Sequence, residues 1–321
     1  MKKYEVTILT DSRFINPVEI DENIQNVLIE DNFAKEALER KGLKVARTNW
    51  DNPGFDWSDT HFAIFRTTWD YFNRFEEFSK WLDDTSKKTK FINPIETILW
   101  NIDKHYLLDL KEKGINIPDT IFIETGDERT LSDLFHQSGW NDCILKPSVS
   151  GAARHTYKLN KENISEHESI YKELISKESM MIQEFQYKVL TKGELTFVVF
   201  GGKFSHAILK KAKHGDFRVQ DDFGGKVHNY NASTEEIRFA EDVVSLCNPL
   251  PVYGRVDAIL DNQKKLAVSE LELIEPELWF RYYTTSADIF AEAVFKEMER
   301  IILNYNICRV HMQYKIKFFS V

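Results

Sequence analysis

Charged residues at regular spacing mark two neighbouring segments near the C-terminus of this chain. Residues 253–260 (YGRVDAIL) and 266–273 (LAVSELEL) alternate in polarity and are rich in β-forming residues, with the polar stretch 261–265 between them. This pattern predicts two strands joined by a tight turn. A turn centred on Gln263 and Lys264 would fix which residues of the two strands face each other.

The predicted hairpin gathers three carboxylates and one guanidinium on one face. In this register Asp257 lies opposite Glu270. Arg255 lies opposite Glu272, and alternate residues of a strand share a face. Clustered carboxylates repel one another unless a cation or a basic substrate group lies among them, and oxygen ligands alone favour Mg²⁺. The alternative is a solvent-exposed face with an Arg255–Glu272 pair, and the hairpin alone leaves both interpretations open.

Several upstream segments have the composition of a nucleotide site. Residues 143–154 (CILKPSVSGAAR) predict a short strand that ends at Lys146 and continues into a loop of small residues. Small residues let backbone N–H groups approach phosphate oxygens, and a lysine adds positive charge. The Gly-Lys-Ser/Thr ending of a Walker loop is absent. Residues 180–185 (MMIQEF) predict an apolar strand whose polar end suits an adenine and a ribose. Gly201-Gly202 predicts a second hairpin, and Arg218 falls in a predicted loop.

Composition narrows the classes of protein. A chain of 321 residues with 42% hydrophobic content can bury a large core, and its length predicts two or three lobes. The net charge of −9 argues against a nucleic-acid-binding surface. Cys143, Cys247 and Cys308 are too far apart for a metal motif or a redox pair, which is typical of reduced thiols in a cytoplasm. No run is long enough to span a membrane, and the N-terminus is better interpreted as a first strand than as a signal peptide.

Local patterns predict an α/β protein with α+β lobes. In residues 1–100, strands at Glu5–Thr10 and His61–Arg66 alternate with helices at Val27–Lys41 and Phe75–Asp84, which favours a parallel sheet. After residue 100, the predicted strands lie near 120, 143, 157 and 181 and in the two hairpins. The predicted helices cover 101–113, about 163–177 and 286–303, and one more begins at the capping box of Ser233. The predicted domains are 1–100, 101–183 and 184–303. The tail 304–321 fits none of them and is left open as an edge strand, a subunit contact or a divergent end.

The order of these parts resembles the ATP-grasp superfamily over roughly residues 60 to 300. Within it, the chain is most similar to the branch of the D-cycloserine-forming cyclo-ligase and glutathione-synthetase-like proteins. The matching runs are RTTWDY (66–71), NP (93–94), WNIDK (100–104), KP (146–147), FSHA (204–207), GDFRVQ (215–220) and ELELIEP (270–276). The resemblance implies an ATP-grasp fold, with a Rossmann-like pre-ATP-grasp domain at 1–100, a small lid lobe at 101–183, and a C-terminal lobe with the Mg²⁺ and ATP site at 184–303.

The resemblance also implies the chemistry. ATP-grasp ligases phosphorylate a carboxylate with ATP, and an amine then attacks the acyl phosphate, releasing ADP and phosphate. By match to the pattern, Asp257, Glu270 and Glu272 would hold two Mg²⁺ ions, with Mn²⁺ as a substitute. Glu272 stands where many members carry Asn, so the geometry of the second ion is open.

The same match assigns nucleotide-binding and catalytic residues. Lys104 and Lys146 would contact the ATP phosphates, with Ser150 and Gly151 in a loop (148–154) that closes over them. The residues implied for adenine, ribose and the nucleotide face are Gln183, Glu184 and Glu194, and those implied to neutralise the transferring phosphoryl group are Arg218, Arg255 and Lys210. A purely structural alternative stays open for several of these residues. Lys104 and Lys146 are then ordinary helix and strand-end lysines. Gln183 is a strand end in solvent, and Lys210 is part of a solvated charge cluster.

The substrate side depends on Arg66, Asp70 and Tyr71, which follow an apolar strand at the edge where open α/β sheets bind ligands. Arg66 is a candidate for a substrate carboxylate and Asp70 for an amino group. The alternative is a surface ion pair between Arg66 and Asp70, four residues apart. His206 is interpreted as a packed histidine rather than a general base.

Three functions remain. The first is a ligase that forms an amide, or a cyclic amide, from an amino acid or a short peptide. The second is a phosphotransferase that uses the same ATP site, and the third is a nucleotide-binding regulator without catalysis. The intact acidic set and the arginines argue against the third, because a binding module does not need groups that stabilise a transition state. A small-molecule substrate and, by analogy with such ligases, a homodimer are the expected partners.

Overall fold

A computed structural model describes residues 2–213, 215–219 and 224–318, with side chains as far as residue 304. Within these ranges the chain forms three β-sheets with helices packed against them. The strands are β1 (Tyr4–Thr10), β2 (Val45–Asn49), β3 (Thr60–Thr67), β4 (Lys90–Ile92), β5 (Thr120–Ile123), β6 (Asp142–Pro147), β7 (Tyr157–Asn160), β8 (Met180–Glu184), β9 (Glu194–Phe200), β10 (Lys203–Lys211), β11 (Lys226–Tyr230), β12 (Tyr253–Leu260) and β13 (Leu266–Glu272). The α-helices are α1 (Glu22–Arg40), α2 (Phe75–Ser86), α3 (Ile95–Asn101), α4 (Tyr106–Glu112), α5 (Leu131–Ser138), α6 (Glu168–Ile175), α7 (Val189–Lys192), α8 (Thr234–Ser245) and α9 (Ser286–Phe318).

The N-terminal sheet comprises β1–β4 in the order β2-β1-β3-β4, and its paired strands are all parallel. Its apolar strands are buried because α1 and α2 supply the helical cover that a parallel sheet requires. The Asp21 side chain accepts a hydrogen bond from the Ile24 backbone N–H at 2.8 Å and so begins α1, and Gly42 follows its end with a φ of +81°. The predicted βα alternation is confirmed, although β2 and β4 were not predicted.

The small sheet comprises β5–β8 in the order β5-β8-β6-β7, and its strands pair antiparallel. The predicted strands near 120, 143, 157 and 181 are all present. Helices α5 and α6 pack on one side around a core that includes Leu134, Leu145 and Tyr171. Helix α5 was not predicted, although Thr130 caps its N-terminus and Gly139 ends it at a φ of +71°.

The large sheet comprises β9–β13 in the order β11-β10-β9-β12-β13, also antiparallel. Gly201 and Gly202 form the predicted tight turn between β9 and β10, with φ angles of +55° and +78°. Helix α8 begins with the predicted capping box, in which Ser233 and Glu236 bind each other's backbone N–H groups.

The predicted helix over 101–113 is wrong, since the chain there forms α3, a turn, and then α4. The side chain of Asn101 donates to the Leu271 carbonyl and accepts from the Leu273 N–H, both at 2.8 Å, which ties the end of α3 to the large sheet. Asp103 then accepts from the His105 N–H at 3.0 Å. Lys104 therefore lies on a turn between two helices rather than within one.

The last helix extends beyond its predicted end at 303. Helix α9 begins at the predicted Ser286 and continues to Phe318. Its buried residues, which include Ala287, Phe290, Val294 and Met298, pack with the N-terminal and large sheets at helical spacing. The edge-strand alternative for the tail is wrong because 304–318 are helical, and residues 319–321 lie outside the described ranges. The domain boundaries stay predictions.

A buried amide joins the N-terminal and large sheets. Asn93 Nδ2 donates to the Tyr253 and Leu273 carbonyls, both at 2.7 Å, and Asn93 Oδ1 accepts from the Val252 and Tyr253 N–H groups at 2.6 and 3.1 Å. Both donors and both acceptor positions of the amide are thus occupied. This bond set fixes the position of β12, which carries the site described below.

In the described ranges, no helix has the length and hydropathy required to cross a bilayer. The expected cytoplasmic location stays a prediction.

Candidate active site

A cleft with a volume of about 330 Å³ lies between the small sheet and the large sheet. It receives side chains from the small sheet, from the large sheet, and from the segments that follow β3 and β13. Most of the residues that the sequence analysis selected line this cleft.

The hairpin of β12 and β13 places its four charged residues as predicted. Arg255 pairs with Glu272 and Asp257 with Glu270 in the strand register, and all four line the cleft. The turn, however, centres on residue 263, because Leu260 pairs with Leu266. An irregularity after Asp257 leaves one extra residue, Ser269, in β13 and so restores the predicted facing pairs.

Asp257 is enclosed by partners from β9, from β10 and from its own strand, β12. Its carboxylate accepts from Thr196 Oγ1 at 2.6 Å, from Lys210 Nζ at 3.1 Å, and from Arg255 Nη2 at 2.9 Å. Burial alone would raise the pKa of Asp257, but Arg255 and Lys210 outweigh it and bring the pKa to about 2. Asp257 is therefore ionised at neutral pH.

Lys210 bridges two carboxylates inside the cleft. Its Nζ lies 2.7 Å from Glu194 Oε1 and 3.1 Å from Asp257 Oδ2. Burial would lower the pKa of Lys210, but the two carboxylates raise it above its usual value. Glu194 faces Lys210 directly across β9 and β10, and burial raises the pKa of Glu194. The solvated-cluster alternative for Lys210 is wrong, since its side chain is buried.

The remaining carboxylates of the hairpin also face basic groups. Arg255 Nη2 binds Glu272, and Lys104 Nζ lies 3.1 Å from Glu270 Oε1. Burial and the neighbouring carboxylates raise the pKa of Glu272 to about 8 despite Arg255. For Glu270, burial acts in the same upward direction, but Lys104 and Lys146 outweigh it and lower the pKa.

The three carboxylates do not form a preassembled metal cluster. Among the described residues, no three His, Cys, Asp or Glu side chains converge in a geometry that would hold a metal ion. Asp257 is enclosed by Lys210, Arg255 and Thr196, and the magnesium site of Asp257, Glu270 and Glu272 stays a prediction. Glu270 and Glu272 still lie on the cleft wall with oxygen donors of the type that Mg²⁺ prefers, so these two residues fit the ion.

Two lysines approach the cleft from the side of the small sheet. The Lys104 N–H donates to the Ser148 carbonyl at 3.0 Å, and Lys104 Nζ donates to the Ser150 carbonyl at 2.5 Å. Lys146 lines the cleft and, among the described residues, makes no ion pair within 4 Å. Burial lowers the pKa of Lys146, although nearby Glu270 acts in the opposite direction. Lys104 and Lys146 thus line the same cleft, and their contact with ATP phosphates stays a prediction.

The loop after β6 has an unusual backbone. Ala152, Ala153 and His155 have φ angles of +49°, +55° and +48°, which non-glycine residues rarely adopt. Such strain often accompanies functional loops, and residues of this kind turn backbone N–H groups toward anions. Residue 151 has space only for glycine, because the Cβ of any other residue would lie 2.6 Å from the Phe72 ring.

The end of β8 supplies polar groups at the cleft, as predicted. Gln183 lines the cleft and is buried, with Nε2 donating to Thr120 Oγ1 at 2.9 Å, so the alternative of a strand end in solvent is wrong. Gln186 Nε2 donates to the Glu184 carbonyl at 3.0 Å and to its Oε2 at 3.1 Å. These contacts hold Glu184 beside the cleft.

Arg218 lines the cleft from the loop between β10 and β11. Its Nη2 lies 2.8 Å from Asp216 Oδ2, which lowers the pKa of Asp216 to about 2. Gln220, part of the matching run in the sequence, lies outside the described residues.

Of the three predicted substrate residues, only Tyr71 is among the described residues that line the cleft. Arg66 is fully buried, and its Nη1 donates to the Pro276 carbonyl at 2.8 Å. Asp70 accepts from Trp50 Nε1 at 2.8 Å and pairs with Arg74 at 3.0 Å. The predicted Arg66–Asp70 ion pair is also wrong, because each side chain has other partners.

Several cleft residues were not predicted from the sequence. Trp69 follows β3, and the others follow β13: Glu275, Glu277, Trp279 and Arg281, which pairs with Glu30 of α1. Burial and, after it, the Glu275 carboxylate raise the pKa of Tyr71, and burial raises the pKa of Glu275 to about 7. Carboxylates just past a predicted strand end were the available signal, since ligands of α/β sheets bind at such ends.

His206 lies apart from this chemistry. It is buried, its ring stacks on Tyr283 with centroids 4.8 Å apart, and Nε2 lies 3.0 Å from the Leu278 carbonyl. Burial lowers the pKa of His206 to about 4. The side chain is a packed histidine, as interpreted from the sequence.

Known proteins match both halves of the chain. Residues 104–289, more than half of it, match the RimK-like ATP-grasp domain family. Residues 6–93 match the family of the N-terminal domain of D-cycloserine synthetase DcsG. The cycloserine biosynthesis protein DcsG of Streptomyces lavendulae is 25% identical over 284 residues, which cover 82% of this chain and 92% of that protein.

Solved structures share the fold. The crystal structure of D-cycloserine synthetase DcsG has a TM-score of 0.78 at 24% identity, and the match covers 91% of this chain and 99% of that one. D-alanine–D-alanine ligase from Bacillus anthracis, complexed with ATP, has a TM-score of 0.61 at 13% identity, covering 93% and 98%. The α/β ATP-grasp architecture expected from the sequence is therefore confirmed. The chain belongs to the RimK-like ATP-grasp family and is an ATP-dependent ligase of the amide-forming class.

Proposed function

We propose that this enzyme joins a carboxylate to an amine of an amino-acid or short-peptide substrate through an acyl phosphate, giving an amide or a cyclic amide. The main support for this function is that four basic residues, Lys104, Lys146, Lys210 and Arg255, line the same cleft as Glu270 and Glu272. The relatives named for cycloserine biosynthesis and for D-alanine–D-alanine ligation support substrates of amino-acid type.

ATP would bind between the small and large sheets. Gln183 and Glu184 would contact the adenine and the ribose, and Glu194 would lie at the nucleotide face. Lys104 and Lys146 would bind phosphate oxygens, assisted by the backbone N–H groups of residues 150–153. Lys146 supports this role because no described carboxylate pairs with it, which leaves its charge for a ligand.

Magnesium would be held by Glu270 and Glu272, which line the cleft. Bound there with the nucleotide, Mg²⁺ would neutralise charge on the phosphate oxygens. Two ions are expected from the family, and Asp257 would contribute only if Lys210 and Arg255 moved away from it. Burial and, after it, the neighbouring carboxylates raise the pKa of Glu272, and a cation bound at this position would stabilise its charged form.

Arg255, Lys210 and Arg218 would stabilise the phosphoryl group during transfer to the substrate carboxylate. A guanidinium suits this task because its planar fork matches phosphate and carboxylate oxygens. The loop 148–154 would exclude water, which otherwise hydrolyses an acyl phosphate. Homodimer formation and the lack of a nucleic-acid partner stay predictions.

The test is ADP release by the purified enzyme in the presence of Mg²⁺ and pools of D- and L-amino acids and dipeptides. Substrate-stimulated ADP release, with an amide product identified by mass spectrometry, is expected. Glu270→Gln should lower kcat/KM by about 100-fold or more. The matched control, Glu112→Gln, changes an exposed residue on α4 and should retain full activity.

Each alternative function has its own outcome in this assay. A phosphorylated substrate that accumulates stably without amide formation would replace the ligase by a phosphotransferase. ATP binding without turnover on any pool would favour a regulator. Activity that persists after Mg²⁺ is replaced by a chelator would contradict the proposed role of the ion.

A further inference from the structure

The cleft carries one carboxylate that the steps above do not use and that has no basic partner. Glu275 is half-buried and lines the cleft three residues after Glu272. Among the described residues, no Lys, Arg or His lies within 4 Å of its carboxylate, whereas Asp257, Glu270, Glu272 and Glu277 each have such a partner. A carboxylate removed from water without a cation is unfavourable, so this position favours a positively charged ligand.

The surroundings of Glu275 are aromatic. Trp69 Nε1 donates to the backbone carbonyl of Glu275 at 3.1 Å. The Tyr71 hydroxyl is close enough to the Glu275 carboxylate that this charge, after burial, raises the pKa of Tyr71. Trp69, Tyr71 and Trp279 all line the same cleft. Aromatic side chains attract ammonium groups through their electron-rich faces, and a carboxylate beside them adds direct charge pairing.

A second observation also indicates a ligand at this end of the cleft. Trp279 is buried, and its Nε1 has no hydrogen-bond partner among the described residues. Its backbone has a φ of +56°, which is unusual for a bulky residue and is held by the packed segment 274–280. A buried, unpaired donor and a carboxylate without a basic partner, both in residues that line one cleft, match a molecule with both a cationic group and an oxygen acceptor.

From this geometry we infer that Glu275, with Tyr71 and Trp69 beside it, binds the cationic amino group of the substrate. This inference rests on the proposed function and refines it, because it defines the substrate as one with a free amino group. Glu275 takes the role that the sequence analysis gave to Asp70, whose carboxylate is occupied by Trp50 and Arg74. The amino group would lie next to the Glu272–Arg255 pair and thus near the carboxylate to be activated.

The test is equilibrium binding without ATP, so that it does not depend on turnover. Tryptophan fluorescence reports on the cleft through Trp69 and Trp279. The probes are the D- and L-forms of alaninamide and serinamide, which carry an ammonium group, and the matching N-acetyl amino acids, which do not. The wild-type enzyme should bind at least one amide and none of the N-acetyl compounds.

Glu275→Gln should weaken binding of the amide by about tenfold or more, because a charged hydrogen bond is lost. Tyr71→Phe, which keeps the ring, should weaken it less, and Glu112→Gln should not change it. Equal melting temperatures of the variants exclude misfolding as the cause. Unchanged binding in Glu275→Gln, loss of binding in Asp70→Asn instead, tight binding of N-acetyl compounds, or no binding of any amine would each overturn the inference.

Failure of this inference is distinguishable from failure of the proposed function. If the amides bind through Glu275 but no ADP or amide product forms, the ligase chemistry fails and the recognition site stands. If amide product forms with unchanged KM in Glu275→Gln, the ligase stands and the recognition site fails.

Discussion

Replacing Lys210 by Met tests the charge network of the cleft most directly. The Lys210 ammonium lies 2.7 Å from Glu194 and 3.1 Å from Asp257, and only 5% of the residue is exposed. Asp257 keeps Arg255 as a partner in the variant, whereas Glu194 keeps only the hydroxyl of Ser269 at 2.9 Å. The substitution therefore leaves one buried carboxylate without a cation.

Removing one member of a buried pair costs about 3–5 kcal/mol, and the lower end applies here because Asp257 remains paired. For a chain of this length the unfolding entropy is about 0.7 kcal/mol/K, so 3 kcal/mol lowers Tm by about 4–5 °C. Burial already raises the pKa of Glu194, and loss of Lys210 raises it further. A folded state with a raised carboxyl pKa holds a proton that the unfolded chain has released, so its stability falls as pH rises through that range.

The stability gap between wild type and Lys210→Met should therefore be larger at pH 8 than at pH 5.5. Thermal unfolding followed by circular dichroism at both pH values measures it. The double variant Lys210→Met/Glu194→Gln removes the stranded charge and should recover about half of the lost Tm or more. An equal gap at both pH values, or no recovery in the double variant, would refute this account of the network.

Three further substitutions test other parts of the structure. Gly151→Ala places a Cβ 2.6 Å from the Phe72 ring, which should lower stability by about 1–3 kcal/mol and weaken ATP binding. Adding Phe72→Leu to this variant should restore ATP binding, measured by calorimetry. A lack of rescue would contradict the contact. Burial lowers the pKa of His206 to about 4, so on acidification the unfolded chain binds a proton at this residue before the folded state does. The free energy of unfolding of the wild type should therefore fall by up to about 3 kcal/mol between pH 6.5 and 4. His206→Asn should show a smaller loss in urea titrations, and identical losses would argue against a neutral buried imidazole. Arg66→Lys should lower stability by about 1–3 kcal/mol and leave the substrate KM unchanged, because the Arg66 side chain binds the Pro276 carbonyl and does not line the cleft. A raised KM at unchanged Tm would instead indicate that Arg66 binds substrate.

Patterns set by near neighbours were predictable from the sequence. The β12–β13 hairpin alternates with period two, and that period placed Arg255 and Asp257 on one face with Glu270 and Glu272. Even here the agreement depends on the extra residue Ser269, because a turn centred on residue 263 would otherwise pair Asp257 with Ser269. Sequence periodicity does not reveal where a strand will carry such an irregularity.

Features decided by distant partners were not predictable. The helix expected over 101–113 is divided because Asn101 bonds to Leu271 and Leu273, about 170 positions along the chain. Arg66 and Asp70 follow a strand end as binding residues do, yet their side chains turn to partners outside the cleft. A strand end identifies an edge of the sheet, whereas the side chain's partner depends on the packing of other segments.

The charge state of the site was also beyond the sequence. A cluster of three carboxylates suggested a metal site. Arg255 of the same hairpin pairs with two of them, but two further cations come from other elements: Lys210 from β10 and Lys104 from the turn before α4. Only the folded sheet order brings these cations beside the hairpin. The position of Glu275 just past a strand end was a signal, but its distinguishing property, the lack of a basic partner, depends on the folded packing.

Asn93 makes the N-terminal region a poor unit for exchange between relatives. An enzyme engineer who wishes to alter substrate choice would replace residues 1–92 and keep the ATP-binding part. Such a chimera must retain the amide, because its loss leaves the carbonyls of Tyr253 and Leu273 and the N–H groups of Val252 and Tyr253 buried without partners. If the two parent sequences are joined after residue 93, that residue comes from the relative. Such a chimera is expected to fold only when the relative also has asparagine at the position of Asn93.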